Sequence, residues 1–343
     1  MSFENLSERG KNILQALIDY YIATAQPVGS RVLANKFGLG ISPATIRNSM
    51  QDLEEMGLVK QPHTSAGRVP TDTGYRVYVD ELLELEDLGV SEKRKIEEEI
   101  SVDYTAVEEL LEQTARALGN VSQELGVILS PRFDKGILTR IDLIPVAEKK
   151  ILVVLAVKSG LIKTILLEAE SNLETLSLER TQSILNERLC GLSLREIIDS
   201  MEERLKDSSD ADAKLLKLFL DSKETLLTFQ ETEQLHLGGT TNMVHQPEFK
   251  DKDTLSSFIA LLEEKKILTE LVSTKGINKG IAITIGKELE RGEVQSLSLV
   301  TSRYQAGEVS GTIGIIGPTR MRYGKLVSLV DYTAKLLSKI LSE

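Results

Sequence analysis

Apolar residues in the first eighty positions recur at helical spacing, and turn or capping signals separate the helical stretches. A first helix is predicted after Ser7, a plausible N-cap, from apolar residues three and four positions apart. These residues are Ile13, Leu14, Leu17, Ile18, Tyr21 and Ile22. Gln26-Pro27-Val28-Gly29 is typical of a turn. Ser30 is then expected to cap a short second helix with Val32, Leu33 and Phe37 facing inward, and Gly38 suits a left-handed C-cap.

The stretch from Ser42 predicts a third helix with two chemically different faces. Pro43 stands at the first helical position, where its missing N–H costs nothing. The apolar stripe of this helix consists of Ile46, Met50 and Leu53. Its opposite face presents Ala44, Asn48 and Gln51, flanked by Thr45 and Arg47. Asp52, Glu54 and Glu55 occupy the second half, where they would repel phosphates, so only the first two turns suit a major groove, as in a helix-turn-helix recognition helix.

The residue types on that face are those that read base pairs. Arginine bonds guanine in bidentate fashion, asparagine and glutamine bond adenine, and the threonine methyl group contacts thymine. Ser42, with the free N–H groups of the first turn, could take a phosphate. The following segment, LVKQPHTSAGRVPT, predicts a hairpin with its turn at Ser65-Ala66-Gly67. With Lys60, His63 and Arg68 it resembles a wing whose tip meets phosphates or the minor groove, while Thr64 and Ser65 add neutral hydrogen bonds.

The rest of the chain alternates between helical and strand-like segments. An amphipathic helix is predicted from Thr71 to about Leu88, an exposed connector over residues 86–103, and a second helix over residues 104–125 before the brief strand GVILSP. LTRIDLIPV, KKILVVLAV and GLIKTILLEA predict an antiparallel meander, and helical periodicity returns over residues 173–232. LHLGGT, GIAITIG, QSLSLVTSRY and GTIGIIGP are strand-like, and MRYGKLVSLVDYTAKLLSKIL predicts a closing helix.

Composition and charge place any nucleic-acid surface at the N-terminus. A chain of 343 residues with 41% hydrophobic and 27% charged residues predicts two or three globular domains. The net charge is −11, yet residues 1–80 hold eight basic and eight acidic residues, so the excess negative charge lies in the remainder. Residues 26–70 hold five basic and three acidic residues. This asymmetry permits DNA binding by the first domain without proving it.

Several functional classes find no support in the sequence. The polar N-terminus predicts no signal or transit peptide, and the longest central apolar run, ILVVLAV, is too short to span a membrane. A lone Cys190 and three scattered histidines predict no disulfide and no zinc site, and favour a cytoplasmic protein. The glycines around Gly286-Lys287-Glu288 lack the spacing and the hydroxyl of a phosphate loop. We therefore expect no enzyme, no cofactor and no bound metal.

Three segments resemble one known family. They are SERGKNILQALIDYYIATAQPVGSRVLA, ISPATIRNSMQDLEEMGLVKQPHTSAGRVPTDTGYRVYVDEL and GTIGIIGPTRMRY. The resemblance is to HrcA, the bacterial heat-inducible transcription repressors, and it runs the length of the chain. It implies a homodimeric repressor of chaperone operons that binds an inverted-repeat operator called CIRCE and is held active by the chaperonin GroEL. The family's recognition-helix and wing motifs fall on residues 42–51 and 63–70.

Pattern and resemblance together predict an α+β multi-domain fold. We expect a winged helix-turn-helix with its linking helix over residues 1–88. A GAF-like α/β domain is expected over residues 89–135 and 233–343. An inserted dimerisation domain, an antiparallel β-meander plus helices, is expected over residues 136–232.

The predicted DNA contacts combine the recognition helix with the wing. They are Ser42, Ala44, Thr45, Arg47, Asn48, Gln51, Lys60, His63, Thr64, Ser65 and Arg68. Two alternatives stay open, since winged helices also serve as protein-contact modules. One is a regulator that senses a small molecule through the GAF-like domain, and the other is an interaction scaffold without DNA affinity.

Overall fold

The structure of the protein is a computed structural model. It describes residues 6–64, 66–100, 107–131, 136–158, 162–169, 175–208, 212–227, 235–273, 280–307 and 309–342.

Three helices and a two-stranded hairpin form the N-terminal module. They are α1 (Glu8–Thr24), α2 (Ser30–Lys36), α3 (Pro43–Glu55), β1 (Val59–Lys60) and β2 (Val69–Pro70). The strands pair antiparallel, with Val59 opposite Pro70 and Lys60 opposite Val69. Apolar faces of the three helices meet in a core that includes Ile13, Leu17, Leu33, Ile46 and Leu53, each at most 1% exposed. This is the predicted winged helix-turn-helix.

The ends of these helices mostly follow the predicted capping chemistry. The Ser7 side chain accepts a hydrogen bond from the Gly10 N–H, and Gly38 adopts a left-handed φ of 56° just after α2. Two predictions about α2 are wrong. Gly29 is its N-cap and Ser30 its first residue, because the extended backbone ends at Gly29 and the helical backbone starts at Ser30. Phe37 is 36% exposed and packs edge-on against Tyr20, because it follows the last turn and no longer shares the buried face.

The segment after the wing differs in length from the prediction. The helix begins after its N-cap Thr71 as α4 (Asp72–Val77), continues as a π-helical turn (Tyr78–Leu82), and ends there rather than at Leu88. The predicted exposed connector is wrong as well, because it contains the helix α5 (Val90–Ile100). Ile96 and Ile100 of α5 are at most 1% exposed, so a sparse apolar stripe was enough to bury one face of a charge-rich helix.

The chain then enters the predicted meander. Helix α6 (Val107–Ser122) and strand β3 (Leu125–Leu129) come first, and residues 104–106 of the predicted helix lie outside the described residues. Strands β4 (Leu138–Ala147), β5 (Lys150–Val157) and β6 (Ile162–Glu168) pair antiparallel in the order β4-β5-β6. Four helices follow: α7 (Thr175–Leu189), α8 (Leu194–Leu205), α9 (Ala213–Asp221) and α10 (Lys223–Leu227). They bury one face of this sheet, including Ile151, Val153 and Leu155.

The remaining strands complete a five-stranded sheet. The chain runs through β7 (Leu235–Gly238), α11 (Thr240–His245), α12 (Lys252–Glu263), α13 (Lys265–Val272), β8 (Ile281–Ile285), β9 (Leu297–Ala306), β10 (Val309–Pro318) and α14 (Tyr323–Ile340). The strand order is β7-β3-β10-β9-β8. The strands and the closing helix were predicted from their apolar runs. Helices α11 to α13 were not, because short helices with interrupted stripes give a weak periodic signal.

The chain folds as two compact units. The first comprises Met1–Ile128, Leu235–Arg303 and Thr312–Ala334, and therefore contains the winged helix together with most of the sheet that surrounds β10. The second comprises Leu129–Gln234, Tyr304–Gly311 and Lys335–Glu343, and contains the meander with its four helices. In the described part of the chain, no helix is both long and apolar enough to cross a membrane.

Candidate nucleic-acid interface

The N-terminal half of α3 presents a polar surface to solvent. Ala44, Arg47, Asn48 and Gln51 are all exposed, whereas Thr45 is half-buried. Their spacing of three and four residues places the exposed four on one helical face. Ile46, Met50 and Leu53 are at most 4% exposed on the opposite face. The two faces therefore lie as the sequence predicted.

The start of α3 is shaped by Ser42. Its hydroxyl oxygen accepts a hydrogen bond from the Thr45 N–H at 3.1 Å and lies 2.9 Å from the Thr45 hydroxyl oxygen. The Ser42 side chain therefore caps the helix, and the first turn contains no acidic residue. Such an N-terminus carries positive partial charge and suits a phosphate.

The second half of α3 is acidic and partly engages the polar face. Asp52 and Glu55 are exposed, and the Gln51 amide donates to the Glu55 carboxylate at 3.3 Å. Gln51 is thus held by its own helix, whereas Arg47 and Asn48 lie exposed in the first two turns. The part of α3 that can approach a polyanion is its N-terminal half.

The wing brings a second set of polar residues to the same module. Lys60, His63 and Thr64 are exposed, and Ser65 lies outside the described residues. Arg68 is placed differently, because its guanidinium pairs with Glu54 of α3 at 2.7 Å and only 20% of its side chain is exposed. The structure therefore gathers most predicted contacts at the surface and turns Arg68 toward the recognition helix.

Two residues that organise the wing, Gln61 and Glu54, are absent from the contacts predicted from the sequence. Gln61 donates hydrogen bonds from its amide to the carbonyls of Thr64 and Ala66, both at 2.9 Å. Glu54 accepts from the Gln61 backbone N–H at 3.1 Å. A glutamine directly after a wing strand is a weak sequence signal for such a role, because the sequence does not show which groups its amide contacts.

The module is held against the sheet-containing part of the same compact unit by arginines. Arg76 of α4 donates to Glu288 at 2.8 and 2.6 Å and to the carbonyl of Ile283 at 2.7 Å. Arg320, which follows β10, donates to the carbonyl of Ile22 in the last turn of α1 at 2.6 Å. These contacts leave the polar face of α3 exposed.

The π-helical turn is also tied to the first helix. Tyr78 donates to the Asp19 carboxylate at 2.8 Å. Burial raises the pKa of Asp19, and the hydrogen bond from Tyr78 opposes that rise. The helix that leaves the wing therefore packs back onto α1, while the polar face of α3 stays exposed.

Comparison with known proteins agrees with this arrangement in both halves of the chain. Residues 5–82 match the family described as the winged helix-turn-helix transcription repressor, HrcA DNA-binding, and residues 108–327 match the HrcA protein C-terminal domain. The fold and the exposed recognition helix thus define a winged-helix transcription repressor. The chain belongs to the HrcA family.

Full-length relatives support the same membership. A protein of Chlorobium phaeobacteroides named heat-inducible transcription repressor HrcA is 37% identical over 100% of both chains. Relatives of the same name from Geobacter sulfurreducens and Pelotomaculum thermopropionicum are 38% and 34% identical and cover at least 97% of each chain. These relatives are named as repressors rather than as enzymes.

One solved structure shares the fold. A hypothetical protein, determined by crystallography at 2.2 Å resolution, superposes with a TM-score of 0.63 at 23% identity and covers 98% of this chain and 99% of its own.

Proposed function

We propose that this protein represses chaperone operons by binding, as a homodimer, the inverted-repeat operator CIRCE. The observation that carries the proposal is the exposed face of α3, where Ala44, Arg47, Asn48 and Gln51 stand together above a buried stripe. Arg47 and Asn48 would read bases in the major groove, with Thr45 and Gln51 beside them. Ser42 and the helix N-terminus would receive a phosphate, and Lys60, His63 and Thr64 would anchor the wing.

A second copy is the partner that an inverted repeat requires, and the three-stranded sheet offers a surface for it. One face of the sheet is covered by helices, but the other leaves Ile144 45% and Leu166 55% exposed. Both residues lie opposite Leu152 of the central strand, so the three form an apolar row across the sheet. Exposed apolar surface of this kind is characteristic of protein interfaces. This supports dimerisation through residues 136–232.

Control by the chaperonin GroEL is the third part of the proposal. Its basis is membership in a family of heat-inducible repressors together with a chain that exposes large apolar side chains, among them Ile162 at 66% and Leu176 at 68%. An inactive population that rises on heating would be a substrate for the chaperonin, because a fold stable by only ~5–15 kcal/mol responds steeply to temperature. Chaperonin supply would then set the amount of active repressor.

Regulation by a small molecule has a narrower basis. A cleft between α12 and the start of β9 is lined by the apolar residues Phe249, Phe258 and Leu261 and by the polar residues Asp253 and Thr254, among others. Its volume of about 250 Å³ lies just below the ~300–1,000 Å³ typical of ligand pockets. We therefore favour the DNA-binding repressor controlled by the chaperonin.

Fluorescence anisotropy with a labelled CIRCE duplex and a scrambled duplex tests the proposal at physiological salt. We expect preference for CIRCE, strengthened by GroEL. Arg47→Ala should lose ~1–3 kcal/mol of binding free energy and relax specificity at one base position, whereas Lys60→Ala should weaken all duplexes alike and flatten the salt dependence. Equal losses on every duplex for Arg47→Ala would contradict its assignment, and equal binding of both duplexes with GroEL present would contradict the repressor proposal.

A further inference from the structure

Glu54, in the last turn of α3, contacts both sides of the wing through one carboxylate. One oxygen accepts a hydrogen bond from the backbone N–H of Gln61, just after β1, at 3.1 Å. The other pairs with the guanidinium of Arg68, just before β2, at 2.7 Å. The two side chains of the ion pair are 32% and 20% exposed. A single acidic side chain therefore joins the recognition helix to the residue that follows β1 and to the residue that precedes β2.

Gln61 extends this connection to the tip of the wing. Its side-chain amide donates to the carbonyls of Thr64 and Ala66 at 2.9 Å each, which closes the loop between them. The hydrogen bonds run without a break from Glu54 through Gln61 to the tip. The position of His63 and Thr64 relative to α3 is thus set through these polar contacts.

Arg68 is committed to this network from its backbone as well as its side chain. Its N–H and carbonyl both pair with Val28, at 2.8 Å each, so its main chain cannot shift independently of the turn before α2. One guanidinium nitrogen serves Glu54, and the Nε atom is buried with no hydrogen-bond partner in the described structure. The guanidinium is therefore engaged with α3 through Glu54 and is largely withdrawn from solvent.

We propose that Glu54 is a positioning residue for DNA recognition, which holds the wing in register with the recognition helix through Arg68 and Gln61. Arg68 then acts through Glu54 rather than as a phosphate contact. This inference rests on the proposed operator binding. It adds that Glu54 sets the position of the wing relative to the recognition helix. Base and phosphate contacts made by one module depend on such geometry, because both must be satisfied in one docked orientation.

The sign of one substitution separates positioning from simple electrostatics. An acidic side chain on a DNA-facing module repels phosphates, so its neutralisation ordinarily strengthens binding to any duplex. If Glu54 positions the wing, Glu54→Gln should instead weaken binding to CIRCE about tenfold, because it breaks a charge-assisted contact. Binding to a scrambled duplex should be unchanged or slightly tighter. Asp52→Asn is the matched control, since it removes the same charge from an exposed position on the same helix.

The test measures CIRCE and scrambled-duplex affinities of the full chain for Glu54→Gln, Asp52→Asn, Arg68→Met and the Glu54→Gln/Arg68→Met double variant. We expect Asp52→Asn to bind CIRCE at least as tightly as wild type, and the double variant to bind no more weakly than the weaker single variant. Tighter CIRCE binding by Glu54→Gln overturns the proposal. A second result also overturns it: affinity losses of the two single variants that multiply in the double variant, together with a weaker salt dependence of DNA binding for Arg68→Met. That result identifies Arg68 as an independent phosphate contact.

Amide hydrogen exchange tests the same point without DNA. Glu54→Ala should accelerate exchange at the Gln61 N–H and leave the Leu58 N–H, which bonds the Leu53 carbonyl at 2.9 Å, as slow as in wild type. Equal acceleration at both amides shows that the end of α3 has melted and overturns the assignment to the wing. If the wild type binds both duplexes alike, the repressor proposal fails, and the exchange result still decides whether Glu54 holds the wing.

Discussion

Glu124 is a carboxyl group buried beside an arginine that is already engaged. It is 8% exposed, and one of its oxygens accepts a hydrogen bond from the Gln246 amide at 3.3 Å while the other has no hydrogen-bond partner in the described structure. Burial raises its pKa to about 8; the positive charge of Arg320 opposes this rise with a smaller effect, and the negative charge of Glu248 adds to it. Arg320 cannot reverse this shift because Glu248 binds its guanidinium in bidentate fashion, at 2.7 and 3.2 Å. Glu124 is therefore predominantly neutral near pH 7.

Replacing Glu124 by glutamine should make folding less sensitive to pH. The pKa of Glu124 is higher in the folded protein than the ordinary value of 4.5, so its stabilising contribution is complete below about pH 4.5 and is lost as the pH rises toward about 8. Between pH 5 and pH 8 the wild type should therefore lose on the order of 2–4 kcal/mol more unfolding free energy than Glu124→Gln does. Urea unfolding across that range measures it. The exposed Glu108→Gln should follow the wild-type curve, and parallel curves for Glu124→Gln and wild type would contradict the shift.

At the scale of elements, the wing depends on a close approach of two backbones. Val28 and the segment around Arg68 form an isolated antiparallel bridge between the turn before α2 and the second half of the hairpin. A Cβ atom at Gly67 would lie 2.4 Å from the backbone of Val28. Gly29, on the other side of Val28, has open space where its Cβ would be. The first glycine is required by packing, whereas the second is tolerant of a side chain.

Gly67→Ala should therefore destabilise the winged helix and Gly29→Ala should not. The clash is with main-chain atoms that cannot rotate away, so we expect a loss of roughly 2–4 kcal/mol of unfolding free energy for Gly67→Ala. Gly29→Ala should stay within about 1 kcal/mol of wild type, because its φ of −96° suits alanine. Thermal unfolding by circular dichroism compares the two. Similar losses at both positions would show that the bridge is not the source of the constraint.

The exposed face of the three-stranded sheet gives an element-scale test of the proposed dimer. Leu166→Asp places a charge in the apolar row with Ile144 and Leu152, and should raise the dimer dissociation constant at least about 100-fold. Folding of the single chain should change by less than about 0.5 kcal/mol, because Leu166 is exposed. Sedimentation equilibrium measures the association. Leu176→Asp, at a still more exposed position on α7, is the control, and an unaltered dimer in Leu166→Asp would place the interface elsewhere.

At the scale of the whole molecule, Arg320 joins distant parts of the first compact unit. Its guanidinium donates to the Ile22 carbonyl at 2.6 Å, to Glu248 and to the Gln246 side chain at 3.2 Å. Helix α1 has no basic residue in its own last turn, so Arg320 satisfies a terminal carbonyl that the helix leaves free. Only 12% of the Arg320 side chain is exposed, compared with 60% of Arg322, which pairs with Glu86. The two arginines lie two positions apart and make their contacts in very different surroundings.

Arg320→Met should cost much more stability than Arg322→Met. Removing Arg320 leaves the half-buried Glu248 without its cation and the Ile22 carbonyl without its hydrogen bond from Arg320. We therefore expect the unfolding free energy to fall by roughly 2–4 kcal/mol. Removing Arg322 should cost less than about 1 kcal/mol, because its ion pair is exposed to solvent. Chemical denaturation of the full chain measures both losses. Equal losses would indicate that burial does not distinguish the two contacts.

The sequence alone determined the helices and hairpin of the N-terminal module, the two faces of α3, the meander and the family. The structural elements follow from residues close together in the chain, because periodicity, capping serines and turn glycines act locally. The family follows from the motif segments. It did not give helix α5 or helices α11 to α13, whose apolar stripes are short.

Only the tertiary structure decided which polar groups meet. It paired Arg68 with Glu54, brought Arg320 to the end of α1, and buried Glu124 where its carboxyl stays neutral. The reason is physical: a side chain's type sets what it can bind, but burial and distance after folding set what it does bind and how strongly its charge is felt.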